Sequence, residues 1–201
     1  MRTLVWTYHR SARAIVYIAV ALIFSCNDAE YQLDNEFDPI NLGLEPPAAF
    51  FHPGVIDTLS VGDTGSFQLY RYKITGVAGA HLNVLYDWGS ITIDSVTLDP
   101  FFVNENNECI MFWEDDQGML DVFLFYHPTL NTRTTSGTGS MASVHFRVMS
   151  DGISELVYGD STRFVDEVNS PVTINEYGVG SIDVTNPYNY NLYHHLFLSR
   201  L

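Results

Sequence analysis

Histidines and adjacent acidic pairs are the residues of this 201-residue chain that could support general acid–base chemistry. The pairs Asp115-Asp116 and Asp166-Glu167 lie in apparent turns, where a solvated loop position is the expected role. The carboxylates of a glycoside hydrolase must face each other across a cleft. Two acidic residues that are adjacent in a turn do not predict such an arrangement. The seven histidines are scattered, and the sequence contains no nucleophile elbow, HExxH motif or phosphate-binding glycine loop. These patterns do not indicate an enzyme.

Non-covalent binding is the chemistry that residues 79–87 favour. Their side chains alternate between two faces: Ala80, Leu82, Val84 and Tyr86 point one way, and His81, Asn83, Leu85 and Asp87 point the other. A period of two is typical of a strand with one face in a core and one face turned outward. We therefore expect a mid-sheet strand whose outward face contributes to function.

Residues 119–126 repeat this pattern. If Leu120, Val122 and Leu124 face the core, Asp121, Phe123 and Phe125 lie outward on the same sheet as His81, Asn83 and Leu85. Exposed apolar side chains among polar ones usually mark a partner-binding surface. The alternative is that the inward face is assigned wrongly, since a one-residue slip exchanges the two faces, or that a loop covers this surface.

Aromatic side chains provide a second possible binding chemistry, direct contact with sugars. Trp88, Trp113, Tyr70 and Tyr72 could act as stacking platforms. The alternative is that Trp113 lies in the core and Trp88 packs on a turn.

Short alternating segments separated by Gly and Asp turns extend over residues 48–185, and no amphipathic helix is evident. About nine strands are predicted, which indicates an all-β sandwich or jelly roll. The first candidate strand, residues 48–56, is interrupted at Pro53-Gly54 and is expected at an edge, and residues 131–139 are predicted to form a long polar loop.

The chain is strongly acidic, with nine basic and 24 acidic residues and a net charge of −15. Such a surface repels nucleic-acid phosphates and anionic membrane surfaces. The two cysteines lie in no CxxC or His/Cys cluster, which argues against a structural zinc site.

The N-terminal residues 1–25 are typical of an export signal. Three arginines precede an apolar run over residues 14–24, which is short for a membrane span. Ser25-Cys26 then resembles the lipobox of bacterial lipoproteins, which implies that Cys26 becomes a lipid anchor. An ordinary signal peptide or an uncleaved anchor is the alternative.

Residues 26–47 are predicted to form a flexible acidic tether. Its acidic residues lack the EF-hand pattern, so calcium is not expected there. Cys109 is predicted to be a small buried apolar residue. Residues 186–201 form a Tyr-rich tail, in which His194-His195 is weak evidence for a metal.

The ordered motifs of residues 50–185 resemble the cohesin domain. The matching segments, in order, are Val61–Thr64, Gly79–Asp87, Phe101-Phe102, Gly118–Leu120, Gly139–Val148, Gly152–Leu156 and Gly180–Val184. The resemblance implies a nine-stranded jelly-roll sandwich in which one sheet face binds dockerin, a small calcium-loaded helical module. It also implies that this face is formed by the strands at residues 79–87, 109–113, 119–126 and 141–148.

The sequence thus predicts a non-catalytic, monomeric module of the cell envelope that docks a protein partner, with no metal or cofactor. The predicted partner-binding residues are His81, Asn83, Leu85, Asp121, Phe123, Phe125, His145 and Arg147. A module that binds polysaccharide directly is the alternative.

Overall fold

The computed structural model describes residues 43–102, 109–127 and 134–184, and these residues form strands and turns without a helix. None of them therefore belongs to a helix long and apolar enough to cross a membrane. Nine strands have five or more residues, and four are shorter. In chain order the strands are β1 (Ala48–His52), β2 (Val55–Ile56), β3 (Thr64–Val77), β4 (Gly79–Leu85), β5 (Ile91–Leu98), β6 (Cys109–Asp115), β7 (Met119–Tyr126), β8 (Thr135–Val148), β9 (Gly152–Tyr158), β10 (Arg163–Val165), β11 (Pro171–Val172), β12 (Glu176–Tyr177) and β13 (Gly180–Val184).

The strands form two sheets. The first has the order β12-β1-β3-β8-β5, and the second has the order β11-β10-β4-β9-β13-β2, with β7 beside β4 and β6 beside β7. The predicted all-β sandwich is therefore confirmed. The interruption at Pro53-Gly54 separates strands of different sheets, because β1 pairs with β3 while β2 pairs with β13 at the end of the second sheet.

The core consists of alternate side chains from both sheets. Leu82 and Val84 of β4 and Val122 of β7 are fully buried, and they belong to one cluster with Phe67 of β3 and Phe146 of β8. The predicted inward faces of β4 and β7 are thus confirmed.

Strand β8 lies in the first sheet, so the prediction that it shares a sheet with β4 and β7 is wrong. It pairs with β3 from Thr64↔Arg147 to Val77↔Thr135 and with β5 on its other side. The predicted loop at residues 131–139 is also too long, because β8 already begins at Thr135. Alternation in sequence shows which side of a strand faces the core, but it does not show which of two sheets contains the strand.

Arg71 of β3 is fully buried and points into the sandwich. Its guanidinium lies 3.3 Å from the Phe101 ring centroid, and its Nη2 donates a hydrogen bond to Thr135 Oγ1 at 3.0 Å. Its Nε has no hydrogen-bond partner among the described residues. Desolvation lowers the pKa of Arg71 to about 9. Burial of this cation therefore carries a cost that the aromatic and hydroxyl contacts only partly offset.

Leu82→Ala and Leu85→Ala make the same change on opposite faces of β4. Leu82 is fully buried and Leu85 is 41% exposed. In urea denaturation, Leu82→Ala should lower the free energy of unfolding by roughly 2–5 kcal/mol, and Leu85→Ala by less than about 1 kcal/mol. Equal losses would contradict the assigned faces.

Candidate functional site

Strands β4 and β7 bring six of the predicted partner-binding residues onto one outward surface. The antiparallel register pairs His81 with Phe123 and Asn83 with Asp121. Strand β6 lies beside β7 and pairs Phe112 with Phe123. We call the outward surface of β6, β7 and β4 the aromatic face; its side chains are Ile110, Phe112, Met119, Asp121, Phe123, Phe125, His81, Asn83 and Leu85.

Three rings stack in a row across the aromatic face. The His81 and Phe123 centroids are 4.3 Å apart with planes at 10°, and the Phe123 and Phe112 centroids are 4.5 Å apart at 16°. Phe125 meets Phe112 edge-on, with a centroid distance of 6.2 Å and an angle of 77°. Side chains in direct cross-strand register produce this row, and Phe112 remains 46% exposed.

The sequence prediction missed Ile110 and Phe112. Strand β6 is apolar on both faces, because Cys109, Met111 and Trp113 pack against the core while Ile110 and Phe112 lie outward. The usual contrast between apolar and polar positions is absent there. Only the pairing with β7 identifies the outward side.

A hydrogen-bonded group lies beside the rings on the same outward surface and holds the His81 ring. Asp121 Oδ1 accepts a hydrogen bond from Asn83 Nδ2 at 2.8 Å and lies 2.7 Å from His81 Nε2. Asn83 is only 4% exposed, and its backbone exchanges hydrogen bonds with the Thr162 hydroxyl. A Cβ at Gly159 would collide with the Asn83 amide, so this position needs glycine. Asn83 therefore supports the aromatic face from beside the rings.

A shallow depression lies at one end of the row of rings. It has a volume of about 120 Å³ and is lined by His81, Phe123, Phe125, Arg163 and Asn169, among others. Arg163 lies opposite His81 in the β10–β4 register. The depression therefore combines aromatic walls with one cationic residue.

His145 and Arg147 do not join the aromatic face, because β8 is in the other sheet. Arg147 Nη2 lies 3.2 Å from Asp94 Oδ2, and His145 Nε2 lies 3.4 Å from Thr97 Oγ1. Both residues therefore interact with the β5 region at the opposite side of the sandwich.

The four candidate sugar platforms have different environments. Tyr72 is buried with Ala48 and Phe50, Tyr70 is half-buried, and Trp113 packs partly against the core. Trp88 is 59% exposed. Of the four rings, Trp88 is thus the one whose surface is mostly accessible.

The remaining candidate residues have structural surroundings or lie outside the described residues. Cys109 is half-buried, and burial raises the pKa of its thiol to about 11. Asp166 accepts hydrogen bonds from the backbone N–H groups of Val168 and Ser170, as expected in a turn. Residues 43–102, 109–127 and 134–184 contain no group of three His, Cys, Asp or Glu side chains that could hold a metal. Cys26, the export signal, His194-His195 and the tail from residue 186 lie outside these ranges.

Solved structures share this architecture. A cohesin of Clostridium acetobutylicum, CaCohA2, matches with a TM-score of 0.57 and 21% identity over 69% of this chain and 99% of that chain. This chain has the cohesin fold. A non-cellulosomal cohesin of the archaeon Archaeoglobus fulgidus matches with a TM-score of 0.56 and 14% identity, over 74% of this chain and 97% of that one.

A third match is the third cohesin of ScaC from Acetivibrio cellulolyticus, solved in complex with the ScaB dockerin. Its TM-score is 0.58 at 14% identity, over 69% of this chain and 99% of that one. No protein-family model matches the sequence, and no curated protein matches it. At these identities the likeness establishes the cohesin fold, which confirms the fold that the ordered motifs implied.

Asp121→Ala should destabilise the hydrogen-bonded part of the aromatic face. It removes the acceptor of the buried Asn83 amide, which costs roughly 1–3 kcal/mol in the free energy of unfolding. Glu114→Ala is the matched control, because Glu114 is exposed and lies opposite Asp121 on β6. In urea denaturation, the control should change the free energy of unfolding by less than about 0.5 kcal/mol. Similar losses in the two variants would show that the Asn83–Asp121 bond contributes nothing specific.

Proposed function

We propose that this chain is a non-catalytic docking module that binds a protein partner through the aromatic face. The observation that carries the proposal is the row of His81, Phe123 and Phe112, which stays partly open to solvent. Clustered apolar surface exposed in this way usually marks an interaction site. Large rigid aromatic side chains are also the typical anchors of protein interfaces.

Rigidity of the aromatic face favours tight binding. The Asn83–Asp121–His81 hydrogen bonds restrain the His81 ring, and Phe123 is stacked between His81 and Phe112, so less side-chain entropy is lost on association. The depression beside Phe125 and Arg163 provides room for one projecting side chain of the partner. These features support a preformed docking surface rather than one that forms on binding.

Charge indicates the chemistry of the partner. Glu114 and Glu155 are exposed on strands of the same sheet, and the whole chain carries a net charge of −15. A partner with an apolar ridge bordered by Lys or Arg would complement this surface and would be steered towards it. Two of the similar solved cohesins, one from Acetivibrio cellulolyticus and OlpA from Clostridium thermocellum, are in complexes with dockerins. A dockerin-like helical module is therefore the partner class that we propose.

The location of the module is part of the same proposal. The arginine-flanked apolar run of residues 1–25 and the following Cys26 support export and lipid anchoring at the cell envelope. The acidic residues 26–47 would then be a tether, and a monomeric sandwich would present the aromatic face to partners in the surrounding medium.

Phe123→Asp tests the docking surface. A partner is first captured from secreted proteins with the full chain, and its affinity for variants is then measured by titration calorimetry. A carboxylate at the centre of the ring row should weaken binding by more than about 1 kcal/mol, with the melting temperature serving as the check on folding.

His145→Asp is the matched control for Phe123→Asp, because it introduces the same charge on the other sheet. We expect this variant to bind the partner with unchanged affinity. Equal weakening by both variants, or by neither, would contradict docking through the aromatic face.

Cys26→Ala tests the anchor. Cells that express the wild-type chain should incorporate radioactive palmitate into it, and the variant should incorporate none, because the acylated thiol is removed. Equal labelling of the two chains would show that Cys26 is not the lipid attachment site.

A further inference from the structure

A cleft at one end of the sandwich lies apart from the aromatic face. The β4–β5 turn, the β6–β7 turn, the start of β5 and Met149 enclose it, with a volume of about 390 Å³. Side chains from both sheets therefore meet at this end. The volume is within the range of small-ligand sites, roughly 300–1,000 Å³.

Trp88 projects into this cleft from a turn that hydrogen bonds hold rigid. Asp87 Oδ1 accepts a hydrogen bond from Gly89 N at 3.0 Å, and its Oδ2 accepts one from Ser90 Oγ at 2.6 Å. The same turn is bonded to the β8–β9 connection, since Ser150 Oγ donates to Gly89 O at 3.0 Å. These bonds restrain the backbone on either side of Trp88, which reduces the entropy lost when a ligand covers its exposed side chain.

The β6–β7 turn supplies polar groups on the opposite side of the cleft. Tyr86 Oη donates a hydrogen bond to Asp115 Oδ1 at 2.6 Å, and Gln117 lines the cleft in a left-handed backbone conformation, with φ of 42°. This conformation belongs to the two-residue hairpin turn, in which Asp116 N donates a hydrogen bond to Met119 O and a positive φ is usual. Burial and the bond to Asp115 raise the pKa of Tyr86, so its hydroxyl stays protonated. The hydrogen bond from this hydroxyl orients the Asp115 carboxylate.

We propose that this cleft binds a neutral, β-linked pyranose oligosaccharide, with one sugar ring stacked on Trp88. A pyranose with equatorial substituents has a flat C–H face that matches an indole, and hydroxyls along its edge. The Asp115 carboxylate accepts hydrogen bonds from such hydroxyls, and the Gln117 amide can both donate and accept. An exposed apolar ring beside two groups of this kind is the combination that a sugar requires.

The charged residues around the cleft favour neutral sugars over acidic ones. Asp115 lines the cleft together with Trp88, and the cleft is lined by no Lys or Arg. A uronic acid would bring a carboxylate next to Asp115 without a compensating cation, which is unfavourable. The cleft is therefore selective for uncharged glycans.

Packing of Trp88 on its own turn is the structural alternative. A Cβ at Gly118 would lie 3.5 Å from Trp88 Cδ1, so the indole does contact the β6–β7 turn. That contact leaves Trp88 59% exposed, which packing alone does not require. A ligand that covers the open part accounts for both the rigid turn and the exposed ring.

Titration calorimetry of the full chain with cellohexaose tests the proposal, in a detergent without a sugar headgroup. We expect saturable binding that Trp88→Ala weakens at least about tenfold. Phe112→Ala removes an exposed aromatic ring on the aromatic face and is the matched control, with an affinity within about twofold of the wild type. Trigalacturonate, which is anionic, should produce no saturable heat.

Protection of tryptophan fluorescence is the second measurement. Cellohexaose should shield wild-type Trp88 from quenching by acrylamide, and the Trp88→Ala chain should show no such protection. The proposal is overturned if cellohexaose does not bind, if Trp88→Ala binds it as the wild type does, or if trigalacturonate binds more tightly. Because Phe123→Asp leaves the cleft intact, loss of protein docking and loss of glycan binding are separable outcomes.

Discussion

The hydrogen bonding of β4 on both of its edges is the constraint on which the site depends. One edge pairs with β7 over seven residues, while the other pairs first with β10 and then with β9. Its inward side chains, such as Leu82, close the core, and its outward His81 begins the row of rings. A shift of one residue would bury His81 and expose Leu82. A change of register would therefore disrupt the core and the aromatic face at the same time.

Sequence periodicity was sufficient to assign the faces of a strand where one face is polar and the other is apolar. It assigned the inward and outward sides of β4 and β7 correctly, and the order of the turns indicated the fold. It failed for β6, where both faces are apolar and Phe112 had no contrast with its neighbours. The sheet of β8 was assigned from the cohesin resemblance, and that assignment was wrong, because the sheet to which a strand belongs depends on non-local pairing. Hydrogen bonds such as Asn83–Asp121 join residues 38 positions apart, and no local pattern reveals them.

Two buried polar side chains, Asn83 and Arg71, differ in how fully their hydrogen-bonding groups are satisfied. Near the aromatic face, buried Asn83 has hydrogen-bond partners for its side chain and its backbone. On the other sheet, buried Arg71 rests on Phe101 and is bonded to Thr135, with Nε left without a partner among the described residues. The first arrangement specifies a geometry at little cost, whereas the second keeps a charge in an unfavourable environment.

The position of β6 has a consequence for solubility. Within the described residues β6 pairs only with β7, which leaves one side of a seven-residue strand with unpaired backbone groups beside Ile110 and Phe112. Such an edge can template strand addition between copies of the chain. The acidic residues Glu114, Asp115 and Asp116 lie at its end, where charged side chains oppose pairing with another strand. The net charge of −15 also repels a second copy. Because salt shortens the range of this repulsion, ionic strength governs how well the edge is protected.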